Sequence, residues 1–396
     1  MNIIEEHLLD ATRSAVHGET VSWAEPLSSA ELHSLIRLAH AHSVLPLVVE
    51  AMGGGDKTVR ALAKRLTVRQ AQRTADFLLL YRELTGRGLQ PLVIKGIVLR
   101  DLYPQPEQRP SADEDLLVSD EDWPRLRDVL LDCGLSIDGK PADDAEEVTF
   151  RNMERGLCLE VHRQLFDRDS NAYGDCNVPF ADAMNRAVTM EILGTRFRTL
   201  SPTDHMLYLL CHAYKHLLHG GVGIRQICDM GLFTERYSNE LDWEHILTNC
   251  RELRIDRFAA ALFAIGEKYL DLAAPAAFAG YDGDVQPLLE DILSGGIYGA
   301  EDIDRLHSST LTLDAVEADR TGRRRGGALR SVFLPANALS GRYPYLRTRP
   351  WLLPVAWTAR IWGYLADKRR KAVKPTETLR IGHDRIALLK QYGIIE

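Results

Sequence analysis

Apolar positions along the chain fall into three regimes. From residue 1 to about 88 they recur at helical spacing: Leu8, Leu9 and Val16, then Leu32, Leu35, Ile36, Leu38 and Ala39, with His42 on the same stripe. Ser28-Ser29-Ala30-Glu31 supplies a capping start, a serine oxygen and a glutamate three residues on answering the free N–H groups of a helix end. Gly53-Gly54-Gly55 breaks the pattern. Leu62, Leu66, Ala71, Ala75, Leu78 and Leu79 then predict a helix from about Thr58 to Leu84.

Residues 89–200 carry short apolar runs instead. Leu89 to Ile94 predicts a strand ending at Lys95-Gly96, Ile97 to Leu102 a brief helix, and Tyr103 to Pro110 a proline-rich loop. Leu116 to Val118 reads as a buried strand, Trp123 to Cys133 as a helix closed by Gly134, and Glu147–Phe150 and Leu157–His162 as strands joined at Glu154-Arg155-Gly156. Helical spacing returns after Ser201-Pro202-Thr203-Asp204, over 203–219, 224–236, 242–251, 255–271 and 285–294. Arg320, Arg323, Arg324, Arg325 and Arg330 read as an exposed linker. A helix from Trp351 to Asp367 follows, ended by Lys368-Arg369-Arg370-Lys371, with Trp351, Trp357 and Trp362 expected in a core. The expected fold is α+β: a small mixed sheet with helices on one face (89–200), between helical regions at 1–88 and 201–396.

Composition narrows the class. A net charge of -8 over 396 residues argues against broad, non-specific nucleic-acid binding, leaving room for a local basic groove. Six scattered cysteines without a C-x-x-C pair imply reduced thiols. The first residues lack a signal-peptide order and no apolar stretch reaches about 18 residues, so the expectation is a cytoplasmic protein with no membrane partner.

The chemistry concentrates between residues 95 and 162. Asp113 and Asp115 stand two apart at the edge of a strand, so both side chains face one side. Side-by-side carboxylates repel, and a hard cation such as Mg²⁺ relieves that while leaving positions for phosphate oxygens. Glu160 completes a three-carboxylate set if its strand lies beside the first, and His162 points the same way as Glu160. Lys95-Gly96, a strand leading into a helix start, suits a phosphate.

These residues resemble the nucleotidyltransferase superfamily that includes DNA polymerase beta and the aminoglycoside nucleotidyltransferases, and within it a bacterial family known only as uncharacterised nucleotidyltransferases. The resemblance lies in Ile94-Lys95-Gly96, Leu102-Tyr103-Pro104, Arg109-Pro110, Asp113 to Val118 and Leu159-Glu160-Val161-His162. Leu200-Ser201-Pro202, His212-Ala213-Tyr214-Lys215-His216, Asp229 and Arg342-Tyr343-Pro344-Tyr345 extend it. It implies Mg²⁺ (or Mn²⁺) held by Asp113, Asp115 and Glu160. It also implies transfer of a nucleoside monophosphate from an NTP to an acceptor hydroxyl on a small metabolite, a protein or RNA. Lys95, Gly96 and Arg109 would face the pyrophosphate, and His162 and Lys215 would sit beside the substrate. The chain departs from the superfamily at Ile97, where a second small residue is usual, at Glu114, where an apolar one is, and in the longer interval from Gly96 to Asp113.

Two other readings compete. A fold that has lost turnover would act as a nucleotide-binding or regulatory module. His205, His212, His216 and His219 share one helix face, and His212 and His216 have the spacing of a zinc pair, although Lys215 lies between them and the H-E-x-x-H glutamate is missing. Asp229 is expected to pair with Arg225, one helical turn earlier.

Overall fold

A computed structural model describes the chain except for residues 140–144, 297–302, 323–335, 340–342, 344, 360–361 and 363–374. The basic runs at 323–330 and 368–371, Arg342, and most of the second half of the expected 351–367 helix lie outside the described residues.

Helices α1 (Ile3–Val16), α2 (Ser29–Ala41), α3 (Leu45–Ala51) and α4 (Lys57–Gly86) open the chain. The α2 cap forms as its sequence dictates: the Ser28 N–H donates to Glu31 at 2.8 Å and the Glu31 N–H to Ser28 Oγ at 3.3 Å. Helix α4 runs 30 residues from an Asp56 cap and buries Val59, Ala63, Gln70, Phe77, Leu78, Leu80, Tyr81 and Leu84. Leu79, read from spacing as part of the apolar stripe, is exposed, because the stripe turns through Phe77, Tyr81 and Leu84.

Seven strands form one sheet in the order β3-β4-β5-β2-β1-β7-β6. They are β1 (Leu92–Ile94), β2 (Glu114–Leu117), β3 (Ser136–Ile137), β4 (Glu147–Asn152), β5 (Leu157–His162), β6 (Val188–Ile192) and β7 (Thr195–Thr199). Strand β2 runs antiparallel to β1 and parallel to β5, with Asp115 opposite Glu160 and Leu117 opposite His162. The β6–β7 hairpin was absent from the pattern reading. Its turn uses Leu193 and Gly194 at φ 50° and 68°, the left-handed pair that a tight hairpin requires.

Alternation assigns the two faces of the sheet. Val93, Leu116, Val118, Leu159, Val161 and Phe197 pack with Phe77, Tyr81 and Leu84 of α4 and with Leu126, Val129 and Leu130 of α6 (Trp123–Asp132). Leu92, Ile94 and Leu117 face the other way and join Met206, Leu209 and Leu210 of α8 (Pro202–His219) in a larger core that also takes in α1–α3. Asp115, Glu160 and His162 lie on this second face by the same alternation.

After a short helix, α7 (Ala183–Arg186), the helices α8, α9 (Ile224–Arg236), α10 (Trp243–Glu252), α11 (Asp256–Leu270), α12 (Gln286–Gly295) and α13 (Ile303–Thr321) follow, with a last one at Pro375–Gln391. The end of α8 is fastened by later side chains: Arg385 donates to the Leu217 carbonyl, Thr312 to the Leu218 carbonyl at 2.6 Å, and Arg305 to the Gly220 carbonyl. Those are the acceptors a helix end leaves open. The expected tryptophan core is corrected at two of its three positions. Trp351 and Trp362 are 71% and 72% exposed, and only Trp357 packs, against Leu339, Leu346 and Ala356. All six cysteines are free. Among the described residues no helix is long and apolar enough to cross a membrane.

Candidate active site

Strand β1 ends at Lys95, whose backbone sits at φ 52° and ψ -134°, a conformation that costs a non-glycine residue about 1–3 kcal/mol. Three contacts hold it there. Its N–H donates to His205 Nε2 at 3.3 Å, and its ammonium lies 2.9 Å from Asp115 Oδ1 and 3.1 Å from His212 Nε2. Gly96 follows at φ 44°, and a Cβ there would fall 1.9 Å from Glu114 Oε2. Glycine is obligatory at this point.

Glu114 links two of the three departures from the superfamily pattern, its own carboxylate and Ile97. It points away from Asp113 and Asp115, is buried, accepts the Ile97 N–H at 2.9 Å and pairs with the buried Arg100. Arg100 reaches on to Ser111 Oγ at 2.6 Å. The carboxylate thus takes an N–H that the sequence reading left for a phosphate, and α5 (Gly96–Arg100) is only five residues long. From α4, Gln70 accepts the Ser111 N–H at 2.9 Å and Arg73 donates to the Ser111 and Gly156 carbonyls, each at 2.9 Å. The loop carrying Asp113 is therefore tied to β5's turn and to α4.

On the open face the acidic groups converge. Asp115 and Glu160 are register partners, Asp113 is near enough to raise Glu160, and ligand atoms of Asp115, Glu160 and His162 lie within 4.8 Å of one another. His162 Nε2 is 3.4 Å from Asp115 Oδ1. Burial raises Asp115, but Lys95 and His162 outweigh it and hold the carboxyl at about 2. Burial and the two aspartates push Glu160 up to about 8. Burial and Asp115 raise Asp113 as well. Three carboxylates meet here, and among the described residues one ammonium, Lys95, pairs directly with them.

A small cleft opens beside this cluster, lined by Lys95, Gly96, Asp113 and Asp115 and by Arg225, Gln226 and Met230 from α9. Arg109 also borders it, but its Nε and Nη2 each donate to Asp229 at 2.6 Å, and Tyr103 donates to the same carboxylate at 2.8 Å. This corrects the expected Arg225–Asp229 pair: Asp229 serves Arg109 and Tyr103. Arg225 instead donates to the Pro110 carbonyl, and its buried Nε has no hydrogen-bond partner. The cation facing the cleft with donor capacity to spare is one that the spacing of α9 had assigned to a structural role.

The α8 histidines do not form a metal cage. His212 and His216 bring their Nε2 atoms to 3.0 Å, but the Lys95 ammonium sits beside them, and among the described residues the one group of three metal-capable side chains is Asp115, Glu160 and His162. Burial, with Lys95 next, drives His212 and His216 well below the usual imidazole range and His205 to about 3, so the rings are neutral. Lys215 is half-buried on α8 beside His216 and His219 and does not line the cleft.

With this geometry in view, comparison with known proteins is decisive in one respect: a family described as uncharacterised nucleotidyltransferase matches residues 28–271. The chain belongs to that family. As a member of the uncharacterised nucleotidyltransferases it carries, within the matched span, the whole sheet, α4, the carboxylate cluster and the α8–α9 wall of the cleft. No curated protein and no solved structure matches it.

Proposed function

We propose that the protein is a divalent-metal-dependent nucleotidyltransferase that moves a nucleoside monophosphate from an NTP to an acceptor hydroxyl and releases pyrophosphate. One observation carries this reading: Asp115 stands in register with Glu160 on parallel strands, and ligand atoms of these two and His162 lie within 4.8 Å of one another. The carboxylates outnumber the one ammonium, Lys95, that pairs with them, and a divalent ion relieves that excess of acid groups. The donor set fits as well. Carboxylate oxygens suit Mg²⁺ or Mn²⁺, and His162 supplies a nitrogen at the margin. Asp113, Asp115 and Glu160 would hold the metal, with His162 beside them. When bound, it would neutralise phosphate charge and make the acceptor hydroxyl more acidic.

The chain's own groups divide the remaining work. Lys95 orients Asp115, and the strained Lys95-Gly96 turn keeps backbone close to the cleft. Arg225 faces the phosphates in place of Arg109, which Asp229 occupies. Glu160, the most proton-avid carboxylate of the three, takes the proton from the attacking hydroxyl. Positioned charge of this kind does most of the work in phosphoryl transfer.

The test is pyrophosphate release from each of the four NTPs with Mg²⁺ or Mn²⁺. Replacing both aspartates, Asp113→Asn with Asp115→Asn, lowers turnover by at least about 10²-fold. Undiminished release by the folded double variant refutes the proposal.

A further inference from the structure

The first half of helix α4 is basic in an acidic chain. From Lys57 to Ala75 it carries Lys57, Arg60, Lys64, Arg65, Arg69 and Arg73 and no acidic residue, in a protein of net charge -8. Arg65, Arg69 and Arg73 recur every fourth residue, so they form one row with steps of about 6 Å. Arg65 and Arg69 are exposed, and among the described residues neither is paired with a carboxylate. The row ends at the site. Arg73 donates to the Ser111 and Gly156 carbonyls, and a Cβ on Gly156 would lie 3.9 Å from Arg69 Nη2.

We infer that the acceptor is a single-stranded nucleic acid whose backbone follows the Arg65–Arg69–Arg73 row, bringing its terminal hydroxyl between Asp113 and Glu160. This rests on the transfer reading above, because that reaction is what demands a hydroxyl at the end of the track. A polyphosphate strand supplies both the repeated charge and the hydroxyl. All three positions of the row are arginine, whose planar fork matches phosphate oxygens better than an ammonium does. The chain's overall acidity disfavours broad, non-specific wrapping of a duplex.

The experiment measures fluorescence anisotropy of labelled 20-nucleotide single-stranded RNA and DNA with the full chain, at 50 and 200 mM salt. Arg65→Glu with Arg69→Glu weakens binding by about tenfold or more at the lower salt. Two lost phosphate contacts also reduce the salt effect between these concentrations by about sevenfold, from a slope of about 0.7 per contact. The same double reversal on α6 and β7, Arg127→Glu with Arg196→Glu, leaves binding unchanged and controls for net charge. Parent-like binding by the Arg65/Arg69 variant, or displacement by poly-glutamate as effective as by unlabelled oligonucleotide, overturns the inference; the latter points to an acidic protein. The Asp113→Asn, Asp115→Asn variant binds oligonucleotide like the parent while losing turnover. Row-dependent binding without pyrophosphate release in the parent removes the transfer reading. Turnover on a small hydroxylated compound without oligonucleotide binding removes the acceptor assignment alone.

Discussion

Replacing Glu114 by glutamine isolates one charge at the turn on which the site is built. Glutamine keeps the size of the side chain and an oxygen for the Ile97 N–H, so the backbone contact worth about 1 kcal/mol can survive. The Arg100 guanidinium, 1% exposed, cannot lose its proton and is left in the interior without its carboxylate. Removing one partner of such a pair costs about 3–5 kcal/mol, a large part of the 5–15 kcal/mol that a folded protein has in reserve. The unpaired charge therefore dominates the lost hydrogen bond by a factor of about three to five. Thermal or urea unfolding of Glu114→Gln should show a midpoint lower by roughly 5–10 °C, or an equivalent shift in urea. The compensating double variant, Arg100→Met with Glu114→Gln, should recover most of the loss, because no buried charge remains. A midpoint within a degree of the parent, or a double variant less stable than the single one, would refute the claim that this ion pair fixes the Lys95-Gly96 turn.

Two further outcomes follow from the same geometry. Arg225→Ala should weaken binding of inorganic pyrophosphate about tenfold by calorimetry, with Arg109→Lys acting instead through stability; equal pyrophosphate affinity in Arg225→Ala would return that atom to a structural role. Burial and the two aspartates push Glu160 up to about 8 from its ordinary 4.5, so its protonated form stabilises the metal-free protein fully below about 4.5 and that contribution disappears as pH rises through 8. Melting in EDTA should therefore worsen from pH 5 to pH 8 more steeply for the parent than for Glu160→Gln, and added Mg²⁺ should flatten the difference; parallel pH profiles would contradict it.

The legible part of this protein was the part with both a pattern and a partner in sequence. Leu116 to Val118 and Leu157 to His162 announced buried strands, and the two-residue steps from Asp113 to Asp115 and from Glu160 to His162 fixed which side chains share a face. The β6–β7 hairpin escaped because β6 is an edge strand that buries only Ile192, and in β7 Thr195-Arg196-Phe197-Arg198-Thr199 alternates around a single apolar ring. Charge, by contrast, shows in a sequence without its counter-charge. Arg109 looked available for phosphate and is held by Asp229, 120 residues later, while Arg225 looked held and faces the cleft. Glu114 stood out as an acid where an apolar residue is usual, and only its direction on the strand sends it to Arg100. The quoted family positions Tyr103, Arg109 and Asp229 were the available clue, since they meet in one buried knot.

The family match stops at residue 271, yet the carbonyls closing α8 are answered by Arg305, Thr312 and Arg385. Trimming the protein to its recognisable portion would strip those donors away and let the last turn fray, two turns from the ring that touches Lys95. A minimal version of the protein cannot be cut at the edge of its sequence signature; the α8 wall of the cleft is buttressed from beyond that edge.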